Sequence, residues 1–267
     1  MIAQTLFILA LLGYALLLHF TLKAMAFKGK WEYVVFFLAA YLPFHITFLS
    51  VLFQATNSKL PITLFQMTKD LVVVGSVLIF VLYRQKLFEY PFRFQLVDWL
   101  LLAFIGLAFI FLLVPLEGPS FVEKALYFKN ILIPGLVFFV GRNTNFEDFE
   151  VKRLFQVFFV IAISAFAVNL FEAFIGSHLQ AFTGYALFNY GIYDIEPSGN
   201  FGLSWTFETQ AMTRRLASFF SDPLELASSV LLGFAAGLIW FLTSKREEGF
   251  PYILVMLCSM GSLFFSS

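Results

Sequence analysis

Charge is scarce in this chain. Only 13% of its 267 residues are charged, 17 acidic against 17 basic, and the formal net charge is zero. Soluble domains carry about 25% charged residues. A balance this sparse gives no electrostatic ground for a nucleic-acid partner. Cysteine is almost missing. The single copy, Cys258, excludes an intramolecular disulfide and a cysteine metal cluster. No group of His, Asp or Glu has metal-ligand spacing, so neither a metal nor another cofactor is expected. The chain also lacks a Gly-rich phosphate loop, a nucleophile elbow and any hydrophilic stretch large enough for soluble chemistry. No internal repeat stands out.

What is present is apolar. Hydrophobic residues make up 60% of the chain, 39 of them Phe, and the mean hydropathy is +0.86. A soluble domain, at about 45–50% apolar, hides less than this. The expected fold is therefore all-α, a polytopic transmembrane helical bundle in the lipid bilayer. A span needs about 20 apolar residues to cross about 30 Å of hydrocarbon. By that measure eight spans are expected in a single domain over 1–267: Ile2–Leu22, Trp31–Phe53, Leu64–Tyr83, Asp98–Leu116, Phe121–Val140, Leu154–Ile175, Pro223–Thr243 and Pro251–Phe265. The first run has no basic residues before it and several after it, which reads as a span rather than a signal peptide.

Basic residues set the orientation. Lys23, Lys28 and Lys30 follow span one; Arg84, Lys86 and Arg93 follow span three. Arg142, Lys152 and Arg153 follow span five, and Lys245 and Arg246 follow span seven. Those alternate loops hold eleven of the 17 basic residues and are expected to be cytoplasmic. The N-terminus, Lys59 and the pair Arg214–Arg215 then lie on the outer side. The longest outward connection, Gly176–Asp222, carries Tyr185, Tyr190, Tyr193, Trp205 and Phe207. Such aromatics either stack on sugar rings or form an interfacial belt at headgroup depth. Part of this connection can lie along the membrane as a short amphipathic helix. Gly233 and Gly237, four apart in span seven, signal close helix packing. Pro43 and Pro134 are expected to kink their spans.

An ionisable residue at membrane depth costs about 2.5–3.5 kcal/mol on insertion scales, so each needs a partner or a task. The candidates are Lys69 with Asp70, then Lys124, Lys129 and Glu172. Lys124 either binds an anionic ligand at the outer side or snorkels to the interface. Lys129 either joins it or pairs with Asp70 or Glu172. Glu172 is also suited to hold an arginine still. His19 and His45 read as packing residues, whereas His178, on the outer side, is open to a role as a base.

One stretch combines cations with a helix start. In Arg214-Arg215-Leu216-Ala217-Ser218-Phe219-Phe220-Ser221-Asp222-Pro223-Leu224-Glu225, Asp222 is placed to cap and Pro223 suits the first helical position. A guanidinium beside a helix N-terminus suits a phosphate, although Asp222 and Glu225 compete for that end. The pattern Arg215-x-x-Ser218-x-Phe220-x-Asp222-Pro223 resembles the Arg-x-x-Gly-x-Phe-x-Asn-Pro-Asn signature of the O-antigen ligase and polymerase family. Ser218 stands where that signature has Gly, and Leu224 where it has its final Asn. The resemblance covers about the last 100 residues, and the rest only as hydrophobic architecture.

The resemblance implies a glycosyltransferase-C-like membrane fold in a bacterial inner membrane, with Arg214 and Arg215 facing the periplasm. It also implies metal-independent transfer of a glycan from an undecaprenyl-diphosphate carrier. Arg215 would bind the diphosphate and neutralise it as it leaves, with Arg214, Lys124 and Lys129 as substrate-binding helpers. The acceptor and the choice between ligase and polymerase stay open. Family members continue past a span like the last one here into a long outward loop bearing a histidine, so an N-terminal fragment is expected. They begin in the cytoplasm, which requires an odd number of spans before the arginine loop, whereas six are counted. Two other readings fit the same cations: a transporter or flippase of lipid-linked glycans or anions, and a scaffold whose arginines bind anionic headgroups.

Overall fold

The computed structural model describes residues 2–83, 95–115, 118–144, 146, 148–245 and 249–267. Among them the backbone is almost wholly helical. Helix α1 is Ile2–Lys28, α2 is Tyr33–Tyr41, α3 is His45–Thr56 and α4 is Lys59–Tyr83. Then come α5 (Leu96–Leu113), α6 (Phe121–Arg142), α7 (Asp148–Ile175), the short α8 (Leu179–Thr183) and α9 (Tyr185–Tyr193). The last two are α10 (Pro223–Thr243) and α11 (Phe250–Ser266). Strand pairing among the described residues is limited to two isolated bridges, Ser198–Leu203 and Glu208–Arg214.

Among the described residues seven stretches are long and apolar enough to cross a membrane: Leu11–Lys28, Tyr33–Thr56, Lys59–Tyr83, Leu96–Leu113, Phe121–Arg142, Glu150–Ile175 and Pro223–Thr243. Helix α11 is apolar too but shorter, at 17 residues. The two prolines act differently. Pro43 sits in a 3₁₀ turn, Leu42–Phe44, that divides the second stretch into α2 and α3. Pro134 lies inside α6, which continues through it as one helix. Arg84, Lys86, Arg93, Leu116 and Arg246, used above to set loops and ends, lie outside the described residues.

The chain divides into two compact units. The first comprises Met1–Leu18, Phe36–Gln66 and Phe146–Ser267. Its centre is α7 packed with α10 and α11, and small residues set the spacing. A Cβ added at Gly233 would stand 2.8 Å from that of Ala162 on α7, and one at Gly237 would meet Met256 on α11 at 3.1 Å. This is the close approach that the two glycines were expected to permit. Trp240 continues the same seam, 5.2 Å from the Phe155 ring and 5.5 Å from that of Tyr252. Ile161, Ala165, Leu226 and Val230 form a buried cluster with Phe219 and Phe220 from the loop before α10. The same unit holds Tyr14 of α1 among the rings of Phe37, Tyr41, Phe48 and Phe65.

The second unit comprises His19–Val35 and Met67–Asn145. Here the membrane-depth charges find partners. Lys129 Nζ donates to Asp70 Oδ2 at 2.7 Å, and Arg142 lies 3.1 Å from Asp98. Helix α6 begins with a reciprocal cap: Ser120 Oγ accepts from the Glu123 N–H at 3.3 Å, and Glu123 accepts from the Ser120 N–H at 2.7 Å. Gly135 admits Ile105 of α5, whose Cδ1 would be 2.7 Å from an added Cβ.

Candidate functional site

The arginine pair is held by a loop that winds between the end of α7 and the start of α10, all within the first unit. Helix α7 stops at Gly176, where φ is 71° and only glycine turns without strain. The N–H groups of Gly176 and Ser177 both return to the Glu172 carbonyl. His178 then precedes the single turn of α8. Beyond α9 the chain has no regular structure until Pro223, apart from one 3₁₀ turn at Trp205–Phe207. Residues 208–214 form a tight turn. The Thr209 N–H donates to the Thr213 carbonyl at 2.9 Å, and their hydroxyls meet at 2.6 Å.

From that turn the two arginines leave in different settings. The Arg215 N–H donates to the Phe207 carbonyl at 3.0 Å. Its Nε donates to the Ser266 carbonyl at 2.7 Å and its Nη1 to the Thr206 carbonyl at 3.4 Å. Ser266 belongs to α11, so this bond joins the loop to that helix. Those two bonds use two of the five guanidinium N–H donors. Arg214 instead lies over the Phe201 ring, 5.1 Å from its centroid, and its Nε has no hydrogen-bond partner. Both arginines are half-buried. Among the described residues no carboxylate forms an ion pair with either.

The segment after Arg215 is fully enclosed: Leu216, Ala217, Ser218, Phe219 and Phe220 are each no more than 4% exposed. It is fastened at three points. Glu172, itself 1% exposed, accepts from the Leu179 N–H at 2.7 Å and from the Ser218 N–H at 3.0 Å. Gln180 Nε2 donates to the carbonyls of Ser218 and Phe220, at 2.7 and 2.6 Å. Thr47 of α3 donates from Oγ1 to the Phe219 carbonyl at 2.6 Å. Ser218 between these clamps has φ 54°, a left-handed conformation, and its buried hydroxyl has no partner. Asp222 closes the segment by accepting from the N–H groups of Leu224 and Glu225 at 2.8 and 2.9 Å. The end of α10 is thereby taken by its own cap, as the competition noted in the sequence suggested.

His178 packs edge-on between Phe201 and Phe207, 5.2 Å from each ring, and is 3% exposed. Burial, aided by the nearby Arg214 charge, lowers its pKa to about 4. At neutral pH it is an uncharged imidazole enclosed by aromatic rings.

The four residues singled out in the sequence fall in two pairs. Arg214 and Arg215 share this loop, whereas Lys124 and Lys129 belong to the second unit. Lys124 Nζ donates to the Val114 carbonyl at 2.8 Å, and Lys129 takes the Asp70 partner that was one of its two readings. Glu172 hydrogen-bonds backbone N–H groups and also feels the Arg214 charge, without a contact ion pair between them. Sequence reasoning missed Gln180 and Thr47 as clamps, because a polar residue carries no mark of a carbonyl about 40 or 170 positions away. Comparison with known families, with characterised proteins and with solved structures finds no match.

Chemically, the loop offers two cations outside any contact ion pair, on a backbone fastened by three side chains. Such an arrangement can receive an anion without first breaking a salt bridge.

Proposed function

We propose that this chain is a membrane glycosyltransferase of the O-antigen ligase or polymerase type, moving a glycan from an undecaprenyl-diphosphate carrier to an acceptor. The observation that carries the reading is the pair of half-buried guanidinium groups, neither in a contact ion pair with a carboxylate among the described residues, set directly before an apolar helix long enough to span a bilayer. A second observation supports the alignment with the ligase signature. The residue standing where that signature has glycine, Ser218, has the positive φ that glycine adopts without strain.

In this reading the arginine loop faces the periplasm of a bacterial inner membrane. Arg215, anchored through Nε, turns its remaining donors to the carrier diphosphate, and Arg214 adds a second charge. As the acceptor hydroxyl oxygen bonds to the anomeric carbon, the bond from that carbon to the diphosphate oxygen breaks. The charge gathering on the diphosphate is met by guanidinium N–H groups already in place. No residue of this chain is assigned to take the acceptor proton.

The test is binding of undecaprenyl diphosphate to the protein in nanodiscs, alongside glycan transfer. A charge-assisted hydrogen bond contributes about 1.5–3 kcal/mol. Arg215→Ala should therefore weaken binding about 10- to 150-fold and reduce transfer, with Arg215→Lys intermediate. Unchanged binding and transfer in Arg215→Ala remove the proposed role.

A further inference from the structure

A cavity of about 440 Å³ lies in the first unit, with Phe219 in its lining. Its walls include Gly13 and Tyr14 of α1, Tyr41 of α2, Phe48 and Val51 of α3, and Phe219 itself. The volume is that of a small-molecule site. The polar groups around it are already engaged. Tyr41 Oη meets His45 Nδ1 at 2.8 Å, Thr47 Oγ1 donates to the Phe219 carbonyl at 2.6 Å, and Thr183 Oγ1 donates to the Gln180 carbonyl at 3.3 Å. With those hydroxyls engaged, a polar ligand would find little to replace the water it gave up, and water itself does not settle in an apolar void. These walls suit hydrocarbon.

The surroundings say which hydrocarbon. Nine of the twelve residues lining the cavity sit on stretches long and apolar enough to cross a membrane, and the other three, Leu179, Thr183 and Phe219, come from the segment between α7 and α10. Beside them Leu12, Leu16 and Leu42 are 56%, 57% and 49% exposed, so the apolar lining runs on into a face that only lipid chains can cover. We propose that this cavity holds one acyl chain of a membrane phospholipid, the bulk solvent of that face. The chain packs against the Tyr14 and Phe48 rings and beneath Phe219. Phe219 already stacks on Phe44 at 4.1 Å, so the lipid would brace the same loop segment that Thr47 and Gln180 fasten. The assignment does not depend on the transferase reading.

Gly13 supplies the test. A Cβ added there meets nothing within 4 Å, so a larger side chain can enter the cavity without moving backbone. Gly106 on α5 is equally open and lies in the other unit, which makes Gly106→Phe the matched control. The full chain, purified from nanodiscs of defined phospholipid, is released into native mass spectrometry. The unsubstituted protein and Gly106→Phe should each retain one phospholipid, and Gly13→Phe should lose it at least tenfold. A phospholipid with a diazirine on the acyl tail should crosslink to peptides containing Tyr14 or Phe219 in the first two proteins only. Ala40→Phe, which also enters the cavity, guards against a Gly13 variant that fails to fold. Equal retention in Gly13→Phe, Ala40→Phe and Gly106→Phe overturns the site. Retention of an isoprenoid lipid alone overturns the acyl-chain assignment. Loss of glycan transfer in Arg215→Ala bears on neither result.

Discussion

Replacing Ser218 by glycine should stabilise this protein, against the usual sign of a core substitution. Ser218 has φ 54° in a segment where every neighbour is buried. A non-glycine residue in that region loses about 1–2 kcal/mol to the clash of Cβ with the backbone. Its hydroxyl is enclosed without a hydrogen-bond partner, at a further cost of about 1 kcal/mol. Against these, glycine adds about 0.5–1 kcal/mol of chain entropy to be lost on folding. The balance favours Ser218→Gly by about 1–2 kcal/mol. Ser218→Ala separates the two gains, because it removes the hydroxyl and keeps Cβ. It should gain about 1 kcal/mol or less, and glycine should exceed alanine by about 0.5–1 kcal/mol. Equilibrium unfolding in mixed micelles, read by Trp fluorescence, gives the order directly. Glycine below alanine would mean that residue 218 is not left-handed in the folded protein, and the support drawn from it for the ligase signature would fall with it.

Other expectations follow from the same loop and from the second unit. Glu172→Gln keeps one acceptor for two backbone N–H groups and turns its amide donor toward the other, which should cost about 1–3 kcal/mol. The freed segment should be nicked faster by trypsin after Arg214 or Arg215; unchanged proteolysis would deny Glu172 its clamping role. His178 gives a pH dependence. The unfolded imidazole takes a proton below pH 6.5, but the folded one resists until about pH 4. The unfolded state binds more protons through that window, so stability rises with pH between about 4 and 6.5. The loss at the acid end approaches about 3 kcal/mol, and His178→Phe should flatten the profile between these limits. In the second unit, a double-mutant cycle of Lys129→Ala with Asp70→Ala should show a coupling of about 1 kcal/mol; additive effects would mean that the pair makes no net contribution.

The helices were legible because a span announces itself. Twenty apolar residues in a row leave the backbone no alternative to internal hydrogen bonds, and a charge-poor, Phe-rich chain repeats that signal many times. Local chemistry was legible for the same reason. Asp222 before Pro223 had to cap α10, and Gly233 with Gly237 had to face neighbours too close for a side chain. The partner of a charge within a span was narrowed but not chosen: Lys129 had Asp70 and Glu172 before it, and only the folded chain selects Asp70.

What escaped was the loop. Its conformation rests on single hydrogen bonds from Glu172, Gln180 and Thr47 to backbone groups, and such bonds read no side chain at the receiving end. The sequence ranked Arg215 above Arg214 by resemblance alone. The geometry divides the labour otherwise: Arg215 spends donors on Ser266 and Thr206 and is thereby positioned, while Arg214 rests on an aromatic face outside any contact ion pair. An anion arriving at this loop therefore meets one fixed cation and one adjustable cation. On the proposed reading, substituting Arg214 should raise the apparent dissociation constant for undecaprenyl diphosphate while leaving the loop fold intact. Substituting Arg215 should disturb both, because its side chain also ties the loop to the end of α11.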